Sequence, residues 1–273
     1  MKAGDKFELY RPKKFLGQNF LVDDNIARKI VQALDISPGD NVIEIGPGRG
    51  ALTKHIAGKP RSFTAVEYDK SVCEELAKQF EGKAEIVHDN FLDYDLSAVN
   101  SPSGSKLKII GNIPYNITSK ILFKLFDSRS QPGFAVLMMQ KEVALRIAAS
   151  PRSKNYGILS VQSQAYCTPK ILFHVPPTAF FPKPTVISTI ISLDFSGSPL
   201  ISTSGDPVLF KLVVRESFGK RRKVLSNSLA NIFRLYGISP HELQFDLTRR
   251  PETLTPEEFI HLSDMIGSLK RSG

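Results

Sequence analysis

The residues with the most specific chemical potential are Gly111-Asn112-Ile113-Pro114-Tyr115, which follow the apolar run Lys108-Ile109-Ile110. An exocyclic amine on an aromatic ring is a poor nucleophile because its lone pair is delocalised into the ring. Acceptors that hold its N–H bonds turn the lone pair out of plane and stabilise the positive charge that develops on attack, the mirror image of an oxyanion hole. The side-chain oxygen of Asn112 and a main-chain carbonyl near Pro114 would supply two such acceptors. Tyr115 would offer a ring on which an unpaired base stacks. Direct attack needs no general base if the proton leaves afterwards, so the lack of a nearby histidine is no obstacle. Read purely as structure, the same stretch is a turn after a buried strand, where Asn and Pro are common.

A second group of residues could hold the electrophile. Val42-Ile43-Glu44-Ile45-Gly46-Pro47-Gly48-Arg49-Gly50-Ala51-Leu52-Thr53 reads as strand, glycine-rich turn and helix. Glycines let the backbone approach a ligand closely, and a helix N-terminus favours negative groups. Three small-ligand classes use such turns, and a bare structural turn fits as well. Glu67 at the end of the next apolar run, in position to accept from ribose hydroxyls, sharpens the choice, as does Asp89 at the end of the one after. With Glu44, Glu67 and Asp89 all expected at strand ends, a pyrophosphate is poorly served. A cationic sulfonium carrying an ammonium group and a ribose is well served, which favours S-adenosylmethionine over a nicotinamide dinucleotide.

The elements that would position these groups alternate. Apolar runs at Asn41–Ile45, Ser62–Val66, Ala84–Val87, Lys108–Ile110 and Phe134–Met138 are separated by helix-like stretches at Ala51–Ala57, Ser71–Phe80 and Thr118–Phe126. That is the pattern of βαβ units and a mainly parallel sheet. Two further segments, Ser160–Val175 and Val186–Phe195, read as β-rich and as a terminal antiparallel hairpin that closes the sheet. Ser196–Asp206 has linker composition. Beyond it Pro207–Phe218, Val224–Tyr236 and Pro256–Leu269 read as helices, the last opening on an N-cap, a proline and two acids in Thr255-Pro256-Glu257-Glu258. The expectation is an α/β Rossmann-like domain over 1–200 and a small all-α domain over 207–273.

Composition limits the partners. Lys plus Arg is 36 against 27 Asp plus Glu, a surplus of +9, which suits a polyanion whose phosphates shed counterions on binding. Arg221-Arg222-Lys223 in the helical region, and Lys141 and Arg146 after the fifth strand, are the candidate RNA contacts; each could equally be a solvated helix face. No apolar run reaches the roughly 18 residues a membrane span needs, and the first residues lack a signal-peptide block. Two cysteines, Cys73 and Cys167, without a CxxC pair, argue against a zinc site or a disulfide framework and fit a reducing cytoplasm. Cys73 falls on an amphipathic stretch and reads as packed. The histidines have no metal-ligand spacing, so no metal is expected.

Over nearly its whole length the chain resembles the small-subunit (16S) ribosomal RNA adenine N6,N6-dimethyltransferase family. The resemblance rests on Gly17-Gln18-Asn19-Phe20-Leu21, Glu44-Ile45-Gly46-Pro47-Gly48, Val66-Glu67-Tyr68-Asp69, Gly111 to Tyr115 and Gln140-Lys141-Glu142-Val143. It continues through Tyr156 to Val161, Val175-Pro176-Pro177-Thr178-Ala179-Phe180 and Arg221-Arg222-Lys223. The resemblance implies dimethylation of two adjacent adenosines in a hairpin loop near the 3′ end of 16S rRNA, within the 30S subunit or its precursor. It also implies that Asn19 and Leu21 close over the cofactor and that Gly46 lies against its methionine part, with Gly48 a further cofactor-binding residue. Glu67 would hold the ribose, Asp89 the adenine amino group, and Asn112 would stand between cofactor and target. Phe180 would stack on the base opposite Tyr115, although Phe180 and Phe181 sit among prolines and read as core by composition alone. Large-subunit rRNA methylation of the antibiotic-resistance type and a ribosome-assembly role remain the alternatives, and a monomer is the default.

Overall fold

The computed structural model describes residues 19–98, 107–128, 132–197, 199–220 and 222–270. By its contacts the chain divides into two compact units. One comprises the described residues of Met1–Lys141 with Leu172–Ser192, the other those of Glu142–Ile171 with Leu193–Gly273. Each is made of two pieces of chain, where the sequence placed a single break at 196–206.

In the first unit β1 (Phe20–Leu21) leads into α1 (Asp24–Ala33). Asp23 caps α1 by accepting from the Ile26 N–H at 3.1 Å, and Ala27, Ile30 and Val31 are buried at helical spacing. There follow β2 (Asn41–Ile45), α2 (Thr53–Ile56), β3 (Ser62–Glu67), α3 (Lys70–Gln79), β4 (Glu85–His88), β5 (Leu107–Asn112), α4 (Thr118–Asp127) and β6 (Phe134–Gln140). Every residue of β2 is buried, as expected of a parallel strand covered on both faces. α3 is capped by Asp69 and buries Val72, Cys73 and Leu76, so Cys73 is packed as its spacing suggested. α2 has only four residues, far shorter than the expected Ala51–Ala57 and too short to build a macrodipole of consequence.

The next elements are α5 (Lys141–Ile147), α6 (Ile158–Tyr166), β7 (Thr168–Val175), β8 (Phe180–Phe181) and β9 (Ser188–Asp194). The first part of Ser160–Val175 is therefore helix, not strand. Six of the nine residues of α6 are buried, Ser160, Val161, Gln162, Ser163, Ala165 and Tyr166, so it lacks the polar face that marks a helix in sequence. Strand begins just beyond Cys167, in the stretch carrying Pro169, which a helix interior would reject.

The seven-stranded sheet has the order β4-β3-β2-β5-β6-β9-β7, and β1 pairs separately with β8. β4, β3, β2, β5 and β6 are mutually parallel. From β2 the chain works outward to β3 and β4, then returns to β5 on the other side of β2 and goes on to β6. The order reverses between β2 and β5, and in open sheets ligands bind beyond the carboxyl ends of the strands at such a point. Ile45 and Gly111 are register partners there. A Cβ on Gly111 would lie 2.8 Å from the Ile45 carbonyl oxygen and 3.0 Å from its Cβ, so glycine alone lets the strand ends close up. The core of this unit joins Ile30, Leu34 and Ile56 to Ile110, Val136, Met138 and Ile190, all fully buried.

The second unit adds α7 (Pro207–Gly219), α8 (Leu225–Ser228), α9 (Ala230–Tyr236) and α10 (Pro256–Leu269). Asp206, the last residue of the linker composition, caps α7 by accepting from Val208 and Leu209 N–H. The expected helix over Val224–Tyr236 breaks at Leu229 into α8 and α9. α10 starts where the sequence placed it, with the Thr255–Glu258 capping box closed in both directions. Arg249 grips Glu258 through its two terminal guanidinium nitrogens, at 2.6 and 3.0 Å. Tyr156 is fully buried and donates to the Leu254 carbonyl at 2.8 Å. No described helix is long and apolar enough to cross a membrane.

Gly111→Ala overpacks the β2–β5 contact and is expected to lower stability by about 1–3 kcal/mol. Chemical denaturation checks this; a variant as stable as the parent would show that the strand ends have room to spare.

Candidate active site

An open cleft of about 290 Å³ lies at the switch point, lined by the glycine turn after β2, by the end of β5 and by the segment around β1. Gly46 and Gly48 take φ of +61° and +54°, a left-handed conformation natural to glycine. A Cβ on Gly46 would meet nothing within 4 Å, so the space above this turn is open. A Cβ on Gly48 would come within 3.1 Å of the Phe20 ring, and the Arg49 guanidinium sits over the same ring at 4.9 Å. β1 is thereby fastened close to the turn.

The three acids expected around the ligand differ sharply. Glu67 accepts from three main-chain N–H groups: Gly48 at 3.1 Å, Tyr68 at 2.9 Å and Asp69 at 3.0 Å. Both of its oxygens are fixed beside the cleft it lines. Glu44 is 1% exposed and accepts a 2.7 Å hydrogen bond from the Thr53 hydroxyl. Burial pushes its carboxyl up to about 8, so it holds its proton at neutral pH. Asp89 does not line the cleft; its Oδ1 accepts from the Asn90 N–H at 2.7 Å, while Asn90, Phe91 and Leu92 do line it. Of the three carboxylates expected to line the cleft, Glu44 and Glu67 do and Asp89 does not; because the buried Glu44 keeps its proton, the negative charge facing the ligand narrows to Glu67. Glu67, the open glycine turn and the exposed Tyr68 beside them fit a ribose-bearing, non-phosphate ligand.

Asn112, the last residue of β5, is half-buried, lines the cleft and donates from Nδ2 to the main-chain oxygen of Asn19 at 2.9 Å. Asn19 and Leu21 line the same cleft. Tyr115 is also half-buried there, and its hydroxyl shares a 2.8 Å hydrogen bond with Ser188. The Pro114 carbonyl accepts from Ile117 N–H and from the Thr118 hydroxyl, both at 3.2 Å. Of the residues expected here, the cleft gathers Asn19, Leu21, Glu44, Gly46, Gly48, Glu67, Asn112 and Tyr115. Phe180 is not among them. It is 4% exposed and packs in the core, whereas Phe181 is 43% exposed. Successive side chains on a strand point to opposite faces, and the pairing Leu21↔Phe180 and Phe20↔Phe181 decides which points where.

Among the candidate RNA contacts, Arg222 and Lys223 are exposed in the second unit, and Arg221 lies outside the described residues. Arg146 pairs with Glu142 one helical turn earlier. Lys141 is half-buried and donates its N–H to the Ile187 carbonyl at 2.9 Å. Ser188 was missed in sequence, whereas Gly111, Phe20 and Thr53 stood inside the quoted motifs without a role of their own. Among the described residues no group of three or more His, Cys, Asp or Glu is placed to hold a metal ion.

A parallel sheet reversing at β2–β5, a glycine turn on one lip and an acid ending the neighbouring strand are features of the Rossmann-like class I methyltransferases, the class to which the fold belongs. Residues 10–250 match the family described as ribosomal RNA adenine dimethylase. Over 258 residues, 94% of this chain, the sequence is 43% identical to the ribosomal RNA small subunit methyltransferase A of Prosthecochloris aestuarii, of which 95% is covered. It is 40% identical over the same length to the protein so named in Francisella tularensis subsp. novicida, of which 98% is covered. The crystal structure of a dimethyladenosine transferase from Plasmodium falciparum aligns with a TM-score of 0.72 at 25% identity, covering 89% of this chain and 95% of that one. The chain belongs to the ribosomal RNA adenine dimethylase family. It is an rRNA adenine dimethyltransferase, and its methyl donor is S-adenosylmethionine.

The Glu44 shift has a definite sign. The folded protein keeps a proton that the unfolded chain releases near pH 4.5, so this contribution to stability is complete below that pH and is lost as pH rises toward 8. Glu44→Gln is expected to gain stability relative to the parent between pH 5 and 8, by up to about 1.4 kcal/mol per pH unit. Thermal melts of the two ligand-free proteins across that range measure it, and a difference independent of pH would contradict the assignment.

Proposed function

We propose that this enzyme dimethylates the N6 amino groups of two adjacent adenosines in a hairpin loop near the 3′ end of 16S rRNA, presented by the small subunit or its precursor. Support comes from one observation above all: Asn112 ends β5 directly across from the glycine turn, in the same cleft as Glu67. The small-subunit assignment draws on the names of the relatives that share 40–43% of their residues with it. A ribosomal substrate places the work in the cytoplasm.

The donor, when bound, supplies an electrophilic methyl carbon on a sulfonium. Glu67 accepts from ribose hydroxyls, Gly46 and Gly48 give the main chain close access, and Asn19 and Leu21 cover the ligand. Asp89 serves the adenine end through the segment that follows it. On the other side, the Asn112 side-chain oxygen accepts one N–H of the target amine. The Pro114 carbonyl is already engaged twice, so the second N–H falls to the Ile113 carbonyl. The two acceptors localise the amine lone pair as attack begins. Tyr115, braced by Ser188, stacks on a base turned out of its loop. Because Phe180 faces the core, Phe181, beside the cleft-lining Phe20, offers the second ring. The RNA backbone is held by Arg222 and Lys223 with Arg221, and by Lys141 and Arg146.

Isolated small and large subunits lacking the modification, incubated with labelled donor, distinguish the substrates by mass spectrometry of the rRNA digests. Dimethyladenosine in small-subunit RNA is expected, and label confined to large-subunit RNA overturns the assignment. Asn112→Ala should keep its fold and its subunit binding and lose turnover by roughly 100- to 1,000-fold.

The two phenylalanines separate by their effects. Phe180→Ala removes a core ring and should cost about 3–5 kcal/mol of stability. Phe181→Ala should leave stability nearly unchanged and lower kcat/KM about 10-fold or more through lost stacking. A reversed pattern, activity lost at 180 with the fold intact, would return the stacking role to Phe180.

A further inference from the structure

A carboxamide can turn over by half a rotation with almost no change in shape, so sterics alone do not decide which end of Asn112 meets the target amine. The oxygen accepts and the nitrogen only donates, and the wrong orientation would put N–H groups against N–H groups. Something must choose, and the partner at hand is the main-chain carbonyl of Asn19, which receives the Nδ2 donor at 2.9 Å. A carbonyl can only accept. The flipped amide would bring two oxygens together there, which is repulsive.

We propose that the Asn19 carbonyl is a positioning group that holds the Asn112 carboxamide with its oxygen turned to the reacting amine. The inference rests on the proposed reaction. The carbonyl is carried on a well-anchored piece of chain. Phe20 and Leu21, which follow it, are each 6% exposed and pair with Phe181 and Phe180. Val22 N–H donates to the Ala179 carbonyl at 2.8 Å, and the Phe20 ring packs against the Gly48 turn. Although 93 positions separate Asn19 from Asn112 in the chain, the strap thus does two jobs: it lines the donor cleft and it orients the acceptor. It also makes Asn, rather than Asp, the residue this position requires. An ionised Asp would be an equal or better acceptor for the amine, but it has no hydrogen for Asn19.

Asn112→Asp tests this. If Asn112 were merely an acceptor, the variant would keep its turnover at every pH. With the Asn19 carbonyl as the orienting partner, kcat relative to the parent at saturating donor should fall by about 100-fold at pH 8. It should rise steadily as pH falls from 8 toward 5, as the protonated fraction of the carboxyl, which alone can donate an O–H, grows. Taking the ratio to the parent at each pH removes the titration of Glu44, and a ratio that does not change with pH, at whatever level, overturns the proposal. Val22→Pro provides a second arm by deleting the N–H that ties the strap to Ala179. Its loss of kcat should be present in the Asn112 protein and absent in the Asn112→Asp background, and additive losses overturn the coupling.

A third readout needs no turnover. In the ligand-free protein one Asn112 Nδ2 proton should resonate downfield of a free carboxamide and exchange slowly, and should lose both properties in Val22→Pro. A free-carboxamide shift in the parent overturns the inference. A parent that methylates no adenine in small-subunit RNA defeats the proposed reaction instead, and leaves this last measurement standing.

Discussion

Ile45 and Gly111 face each other across the parallel pair β2 and β5, with room for a hydrogen but not for a methyl group. The rest of the cleft's arrangement follows from that close approach. It brings the carboxyl ends of two strands together at the place where the sheet order reverses. The glycine turn leaves one strand end and Asn112 leaves the other. The glycine turn and Asn112 therefore stand across a gap set by the spacing of neighbouring strands, about 4.8 Å, and not by flexible loops. A methyl transfer that needs its partners aligned gains most from this rigidity.

Charge at the cleft is arranged by burial as much as by residue type. Glu44 and Glu67 sit on adjacent strands, yet one is closed inside the sheet with a hydroxyl for a partner and the other is held at the rim by main-chain amides. Desolvation removes the charge from the first. The three amides orient both oxygens of the second, two of them on one oxygen and Gly48 alone on the other, which keeps a lone pair for a ligand. The fixed carboxylate in front suits a ligand that carries a sugar, and the neutral acid behind it adds no charge of its own. α2, with four residues, adds little of the field that would draw a phosphate.

The second unit is stabilised by a different kind of contact. Its α10 is started by a reciprocal capping box, and the same Glu258 that completes the box also receives the Arg249 fork. The fully buried Tyr156 reaches the Leu254 carbonyl just before that cap. The Tyr156 bond satisfies a hydroxyl that would otherwise be costly inside the core, while the half-buried Arg249 and Glu258 pair at its edge. The exposed cations Arg222 and Lys223 remain at the surface, where an RNA backbone can reach them.

Much of this was written locally in the chain. The strands from β2 to β6, the linker ending in Asp206, and the start of α10 at Thr255 depend on periodicity and capping within a few residues, and such signals survive in sequence. Asn112, Tyr115, Gly46 and Glu67 declared themselves because each lies at the end of an apolar run. What sequence left open depended on which face a residue takes, and that is a property of the assembled sheet. α6 read as strand because the fold surrounds it and removes the polar face that identifies a helix. Glu44 read as a ligand-facing charge because no local feature says that its carboxyl points inward to Thr53. Phe180 and Phe181 are chemically identical neighbours, and only the register with β1 sends one into the core and the other to the surface. The bond from Asn112 to Asn19 joins distant parts of the chain through two independent strand pairings, so the tertiary structure alone could decide it.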